Sequence, residues 1–509
     1  MIYKMEKEQI IRWRNWMPIE IGLMNMTKEE IVKVELVDII DEFKNNRAMV
    51  NANSDKTLEQ LKEELSKTAV TLLEENPREV FLQTIRDNLK AAKEAAKLSP
   101  GLGTALKDSK NNINLTTYIG DIGDIEKTKV TAATRFDLAS ITKLFTSIEA
   151  LRLHQDKVID VNAFVSDIYK SPYKGLRIPL IDMMRFKYEL RTNGRLDEPG
   201  ITMIEFLNRL FDPTITRNQY IYSDIPYIIT KTLLPNTREF FNMYKDVLGY
   251  ETLGYNTKGV ITGSEDLKRV SDGKARQLLE YGIEPGHAGL FGTVDDIIHV
   301  LDILNDGFLN EQSIKMLIDK DTDKFYTPVY NAKNEIVETR AINHGTGVFI
   351  EHPEGLQKSQ VISGLSSKAF SATGYTGGYS TFDLKNGFAT CFLCNPVSVA
   401  YKEPYIKEET IAPDSIFRNI AGDQYPTNAK VTTEFVNGQK LIQVYDANGD
   451  FIEKRNQPGM LNVFKVKQLL TLYKLRLIKR VATKLATSDV ELECINKVFN
   501  NGKVFKKSN

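Results

Sequence analysis

The chain has 509 residues, more than one ordinary core holds, so two or three domains are expected. Its 67 basic residues balance 67 acidic ones, which leaves no electrostatic argument for nucleic acid as a partner. The hydrophobic fraction of 42% suffices for globular folding, and three Cys imply no disulfide framework.

Residues 1–21 carry Lys4, Glu6, Lys7, Glu8, Arg12 and Arg14 and no apolar core of signal-peptide length. No run of about 18 apolar residues occurs anywhere, so the expectation is a cytoplasmic chain without a spanning helix. Residues 1–98 read as a helical extension. Three apolar stripes support it: Ile31 to Ile40, Leu58 to Leu72, and Phe81 to Ala96. These stripes are short for a coiled coil, which favours a hairpin docked on the main domain over a dimerisation arm. Ser99-Pro100-Gly101-Leu102-Gly103 punctuates the boundary of a domain over 99–400.

Strand-like segments follow at 114–119 and 129–134. Ser140 and Lys143 then stand three residues apart where a helix begins, beside the stripe Ile141, Leu144, Phe145, Ile148 and Leu151. A hydroxyl beside an amine at the positive end of a helix is a nucleophile with a built-in proton acceptor. The plainer reading is a Ser N-cap with a solvated Lys. Ser171 with Lys174 and Ser271 with Lys274 share the spacing but lie in turn-forming sequence.

A long helical region covers 141–310. Within it, Tyr222-Ser223-Asp224 leads into a helix at 225–233, and His287 sits in the Gly-rich stretch 286–292. The remaining His154, His299, His344 and His352 make no metal-ligand pattern. Strands return at 346–351, 361–363, 379–383 and 387–393. Strands at both ends of a domain with helices between them imply an α+β layer. Cys391 and Cys394 fall in a run that reads as a buried strand, not as a redox or metal site.

After residue 400 a C-terminal extension, 401–509, begins. Segments 430–436 and 440–445 flank Asn437-Gly438 as a hairpin, and Asn448-Gly449 turns toward Phe451 and Ile452. Residues 463–486 read as a basic amphipathic helix, and 461–509 hold eleven Lys or Arg against three Asp or Glu. That charge fits either a docked helix with a solvated basic face or contact with an anionic membrane surface or partner. The sequence sets no oligomeric state.

Four segments in this order and rough spacing resemble the serine β-lactamase and penicillin-binding-protein superfamily. They are the phrase around Ser140, Tyr222-Ser223-Asp224, the stretch 286–292, and Ala372-Thr373-Gly374 followed by a strand and Asn395-Pro396. The likeness covers roughly 100–400 and is greatest to the class C-type branch, which includes esterases and D-amino-acid peptidases. It implies an antiparallel sheet flanked by helices, plus an all-helical lobe, with the site between them. It further implies Ser140 as nucleophile, Lys143 and Tyr222 as proton handlers, and an oxyanion hole from the N–H groups of Ser140 and Tyr375. Asp224, His287, Ala372, Thr373, Gly374 and Tyr375 would border the substrate, without metal or cofactor.

Three departures qualify the likeness. Asp224 stands where many relatives carry Asn, and a carboxylate there could pair with Lys143 and shift the burden of base to Tyr222. Ala372 replaces a Lys or His that orients a substrate carboxylate, a role for which Lys368 is the alternative cation. Segment 183–190 differs from the relatives' but is expected to touch none of the acyl-transfer groups. The expected function is a serine hydrolase with a Ser140 acyl-enzyme, on a small ester first and a D-amino-acid amide second. Its rivals are a catalytically faded peptide-binding member and a scaffold acting through its helical extensions.

Overall fold

The structure, a computed structural model, describes residues 26–46, 52–95, 99–168, 172–190, 192–194, 196, 198, 200–212, 222–234, 245, 248–257, 259–262, 267, 270–318, 326–330, 336–341, 344–350, 361–362, 365–395, 407–410, 429–436, 439–446, 448–449, 451–455 and 460–500. Among the described residues three helices come first, α1 (Lys28–Asn46), α2 (Ala52–Glu74) and α3 (Pro77–Ala95). Each buries its expected stripe, including Ile31, Leu36, Ile40, Leu58, Leu61, Leu65, Leu72 and Phe81. They dock on the main domain, because Leu106, Ile113, Leu115 and Phe388 of the central sheet belong to the same buried cluster.

Strands β1 (Gly101–Asp108) and β2 (Ile113–Gly120) follow. The short β3 (Arg135–Asp137) leads through a 3-10 turn, Ala139–Ile141, into α4 (Thr142–Gln155). The helical lobe then contributes α5 (Val165–Ile168), α6 (Leu180–Met184), α7 (Met203–Arg209), α8 (Ile225–Leu233) and α9 (Gly273–Glu280). Strands β4 (Ile261–Thr262) and β5 (Phe291–Gly292) flank β3, and α10 (Val294–Asn305) and α11 (Glu311–Ile318) come next. A hairpin of β6 (Tyr326–Tyr330) and β7 (Ile336–Ala341) precedes β8 (Phe349–Ile350), β9 (Ala369–Thr373), β10 (Tyr379–Asp383) and β11 (Phe388–Cys394).

The central sheet has six strands in the order β2-β1-β11-β10-β9-β8, each antiparallel to its neighbours. Side chains alternate between its faces. Ala105, Phe370, Ala372, Phe382, Cys391 and Leu393 join the cluster that holds α4, α8 and α10, while Leu106, Ala369 and Phe388 join the terminal helices. Both faces are covered, so the fold is the expected α+β arrangement of an antiparallel sheet flanked by helices. Cys391 and Cys394, three positions apart in β11, bond to the carbonyls of Val294 and Gly377 respectively.

The C-terminal part forms a second antiparallel sheet from β12 (Lys407–Thr410), β13 (Lys430–Val436), β14 (Gln439–Tyr445) and β15 (Phe451–Arg455). Helices α12 (Met460–Leu485) and α13 (Asp489–Asn500) close the described chain. Leu469, Leu472, Leu475, Ile478 and Val481 of α12 are buried with α1–α3. Four cations of α12 pair with acidic side chains of the chain. Arg476 bonds Asp108 at 2.5 Å and Glu42 at 3.0 Å, Arg480 bonds Glu42 at 2.6 Å, and Lys474 and Lys484 pair with Glu64 and Glu35. Burying an apolar side chain contributes about 1.5–3 kcal/mol, whereas an exposed ion pair contributes about 0–1 kcal/mol. Packing and the buried Arg476–Asp108 pair therefore hold α12 down, while the part-exposed pairs tie it to α1 and α2. No helix among the described residues is long and apolar enough to cross a membrane.

Several strand expectations need correction. Segment 129–134 is no strand: Lys129 makes only an isolated bridge to Asp121, and Thr134 N–H returns to the Thr131 carbonyl at 3.0 Å as a turn. Val361 and Ile362 are buried but unpaired as strand, and Ser363 lies outside the described residues, as do Ser171, Asn437 and Gly438. Among the described residues of the strand expected at 346–351, only Phe349–Ile350 is strand. Conversely, Gly101-Leu102-Gly103, read as boundary punctuation, opens β1.

Arg476 is 1% exposed and Asp108 is fully buried. Removing one partner of such a pair leaves an uncompensated buried charge, a loss of about 3–5 kcal/mol. Arg476→Ala should therefore lower the urea midpoint far more than Arg480→Ala, whose part-exposed pair contributes about 1 kcal/mol or less. Equal midpoints in the two variants would refute this assignment.

Candidate active site

Ser140 lies in the 3-10 turn between β3 and α4. Its hydroxyl does not cap the helix; it accepts a hydrogen bond from Lys143 Nζ at 2.9 Å. The plain N-cap reading of this Ser is thus displaced. The preceding residue, Ala139, has φ +44°, a left-handed conformation that costs a non-glycine residue about 1–3 kcal/mol. Asp137 holds it there. One carboxylate oxygen accepts from Ala139 N–H at 2.9 Å and the other from Ser271 N–H at 2.8 Å. Burial pushes the Asp137 carboxyl up to about 6, against these hydrogen bonds, which pull it down.

The turn after β9 clamps the same segment. Thr376 Oγ1 donates to the Asp137 carbonyl at 2.6 Å. A Cβ on Gly374 would come within 2.5 Å of the Leu138 carbonyl, and one on Gly378 within 2.8 Å of Ile141. These glycines thus permit close approach to the serine turn itself. Gly377 N–H bonds the Gly374 carbonyl at 3.0 Å, so Tyr375 rides a tight turn beside Ser140 with its ring half exposed. Thr373 is partly buried at the end of β9. Ala372 is buried and packs with the α4 cluster. Lys368 is not on the strand: it sits exposed in the turn before β9, its N–H bonded to Ser366 Oγ at 3.1 Å.

Helix α4 is not amphipathic in context. Thr142, Lys143, Thr146, Ser147 and Glu149 are buried together with the apolar stripe. Lys143 is 1% exposed and donates to Ser140 Oγ, to Asp224 Oδ1 at 3.0 Å and to the His287 carbonyl at 3.1 Å. Burial alone would lower its pKa. Tyr222 and Asp224 outweigh burial and hold the amine above its ordinary value. Burial would likewise raise Asp224, but Lys143, His287 and Lys274 hold it well below the carboxylate range.

The second oxygen of Asp224 reaches Lys274 Nζ at 3.0 Å. Lys274 stands in the first turn of α9, where Asp272 is the N-cap and accepts from Ala275 N–H at 2.7 Å. Asp272 lies 3.9 Å from Lys274 and 2.9 Å from His287 Nε2. His287 is fully buried, so it meets the site through its carbonyl and through Asp272. Asp224, Asp272 and His287 bring ligand-type atoms within 4.8 Å of one another. Two ammonium groups already neutralise those carboxylates, which is poor ground for a further cation. The 271–274 segment, read from sequence as a turn, is thus a helix start that delivers a second lysine.

Tyr222 forms the opposite wall. Lys143 Nζ sits 5.1 Å from its ring centroid, a cation–π contact. Its ring packs on Phe186 at 4.8 Å and on His344 at 5.7 Å, and its surface is 40% exposed. This corrects the expectation that segment 183–190 touches none of the reacting groups. Phe186, at φ +59°, is a strained bulky residue held against Tyr222. His344 packs beside it with both ring nitrogens buried, and burial first and the Lys143 charge second push its pKa down to about 3. Sequence reasoning missed Asp137, Phe186, Lys274 and His344. Only Lys274 carried a signal, the repeated Ser-x-x-Lys spacing.

Residues 100–236 match the family model described as Beta-lactamase, and the matched segment contains Ser140, Lys143, Tyr222 and Asp224. No curated protein sequence matches the chain. Among solved structures, a β-lactamase from Sulfitobacter sp. EE-36 is 16% identical with a TM-score of 0.43, over 61% of this chain and 92% of that one. A β-lactamase/D-alanine carboxypeptidase from Pseudomonas syringae is 13% identical with a TM-score of 0.46, over 62% and 94%. A D-amino acid amidase from Ochrobactrum anthropi SV3 is 16% identical with a TM-score of 0.44, over 62% and 91%.

Against burial, which raises it, the His287 hydrogen bond and charge and the Lys274 charge pull the Asp272 carboxyl down to about 2. A carboxylate with a depressed pKa contributes stability above its unfolded pKa and loses it as pH falls through the folded one. Here the contribution is about 2 kcal/mol, present above roughly pH 4 and fading toward pH 2. Asn caps a helix as well as Asp does. Asp272→Asn should therefore be less stable than the native chain at pH 6, with a gap that narrows by pH 3 in urea titrations. A gap that stays constant with pH would show that the charge is not what stabilises this turn.

Proposed function

We propose that the chain is a serine hydrolase that works through an acyl-enzyme on Ser140, with a small ester as the first substrate class and a D-amino-acid amide as the second. One observation carries the reading: a buried lysine amine stands 2.9 Å from the hydroxyl of a serine held on a strained turn at the start of a helix. Structural Ser–Lys contacts on surfaces do not need such a turn, and the match of 100–236 to the β-lactamase family supports the same chemistry.

In this reading Ser140 Oγ attacks the substrate carbonyl carbon. Its proton passes to the Lys143 amine in its neutral form, or to Tyr222 as phenolate, and the carbonyl π electrons move onto oxygen. The N–H groups of Ser140 and Tyr375 receive that oxyanion. Collapse restores the carbonyl and breaks the bond to the leaving alcohol or amine, which takes the proton away. Water repeats the sequence on the acyl-enzyme, releases the acid and returns a proton to Ser140. Asp224, Thr373, Gly374 and Ala372 border the acyl group, and His287 supports Lys143 from behind. The chemistry draws on no metal or cofactor.

A second reading, a binding member without turnover, is favoured by the raised pKa of Lys143, which keeps the resting amine charged. A fluorophosphonate probe separates the two. The native chain should label at one serine, and Ser140→Ala should abolish labelling while remaining folded, since it removes a hydroxyl that caps nothing. An unlabelled native chain favours the binding member, and labelling retained in Ser140→Ala names another serine.

Ala372 bears on substrate choice. A charge-assisted hydrogen bond to a substrate carboxylate contributes roughly 1.5–3 kcal/mol, or about ten- to a hundredfold in rate. Neutral esters do not use that contact. Short-chain p-nitrophenyl esters should therefore be cleaved with higher kcat/KM than penicillins, and Ala372→Lys should raise the penicillin-to-ester ratio. An unchanged ratio would remove Ala372 from selectivity.

A further inference from the structure

The polar contacts behind Lys143 close into a ring. Lys143 Nζ meets Asp224 Oδ1 at 3.0 Å, Asp224 Oδ2 meets Lys274 Nζ at 3.0 Å, and Lys274 lies 3.9 Å from Asp272. Asp272 meets His287 Nε2 at 2.9 Å, and the His287 carbonyl accepts from Lys143 at 3.1 Å. Two lysines thus share one carboxylate. This has a consequence for the hydroxyl at the ring's edge. A carboxylate devoted to Lys143 alone would fix that amine as its permanent counter-ion, unable to take a proton from Ser140. A second ammonium on the other oxygen supplies a field of opposite sign, which offsets part of the carboxylate's attraction for Lys143.

We propose that Lys274 is a positioning residue of this site, which by holding the second oxygen of Asp224 offsets part of that carboxylate's hold on the charged Lys143 and lowers the cost of the neutral amine that accepts the Ser140 proton. The inference rests on the serine-hydrolase reading for its purpose, but its physical content, a coupling of Lys274 to Lys143 through Asp224, does not. Three features support it. Lys274 is delivered by a capped helix start rather than a free loop, so its position is fixed by backbone. Its side chain is 29% exposed and spans to Asp224, which is far from α9 in sequence, although solvent lies open to it. The repulsion between the two ammonium groups already opposes the effect of Asp224 and Asp272 on Lys274, and electrostatic coupling is reciprocal.

The groups facing Lys143 are Ser140 on its own segment, Tyr222 and Asp224 from the loop before α8, the His287 carbonyl, and His344 from the segment before β8. Those facing Lys274 are Asp224 and its own cap Asp272, the latter tied to His287. Asp137 touches the ring through Ser271. Among these, Lys274 is the cation that shares the carboxylate with Lys143.

The test is a direct titration of Lys143, by carbon NMR of the full chain carrying 13Cε-lysine, with the resonance assigned as the one lost in Lys143→Arg. Lys274→Met should raise the Lys143 midpoint by about one pH unit, and Lys274→Arg, which keeps the charge, should restore it to near the native midpoint. In an Asp224→Asn background, the shift caused by Lys274→Met should shrink to half or less. A merely structural role would move thermal stability but leave the midpoint in place. An unmoved or lowered midpoint in Lys274→Met overturns the proposal, as does an equal shift in Lys274→Arg or an undiminished shift with Asp224→Asn. These readings need no turnover, so they are independent of fluorophosphonate labelling: an unlabelled Ser140 defeats the hydrolase reading, while an unmoved Lys143 defeats this one. If both hold, the probe should label Lys274→Met about tenfold more slowly near neutral pH than the native chain.

Discussion

A lysine amine buried to 1% exposure has to be compensated, and the architecture around α4 follows from that requirement. Water cannot solvate Lys143, so protein groups must. Three oxygens do so, from the start of its own helix segment, from the loop before α8 and from the stretch before β5. The aromatic face of Tyr222 supplies a fourth contact. They come from three parts of the chain, which must be packed together for all to meet. The same low-dielectric setting makes Lys143 sensitive to every nearby charge. That is why one additional ammonium, two bonds away through Asp224, is expected to matter.

The rest of the fold holds the serine turn in a conformation it would not adopt alone. Left-handed backbone at Ala139 persists because Asp137, Thr376 and the close approach of Gly374 over-determine it. β9 leads into that clamp, and β9 is paired with β10, β10 with β11, and β11 with β1. Helices α1–α3 and α12 cover the far face of this sheet. The terminal extensions thus bury the strands that carry the site, and none of the site contacts named above comes from their described residues.

Local pattern was enough wherever a structure is decided locally. The stripes of α1–α3 and α12, the hairpin of β13 and β14, and the loop running from Tyr222 into α8 all appear where periodicity and turn chemistry put them. Ser140 and Lys143 were legible for the same reason, since a three-residue spacing on a helix is itself a geometry. What was not legible depends on distant partners. β1 begins in Gly101-Leu102-Gly103, a sequence that reads as a linker, and becomes a strand because β11, which pairs Cys394 with Leu102 and Phe392 with Thr104, completes its hydrogen bonds. Segment 129–134 has the β-branched composition of a strand, but the Thr131–Thr134 bonds fold it into a turn. Phe186, Lys274 and His344 join the site only through tertiary packing. The pairing of Asp224 with Lys143 could be raised from the sequence, yet its second partner could not.

The central claim is that Ser140 forms a covalent bond with the acyl group of a substrate. Rapid-quench mass spectrometry with p-nitrophenyl acetate tests it directly. A transient mass increase of one acetyl group, located to the peptide containing Ser140 and accompanied by a burst of p-nitrophenol equal to the enzyme present, is the predicted result. Release of p-nitrophenol with no adduct and no burst, or an acetyl group found on a lysine instead, would contradict it.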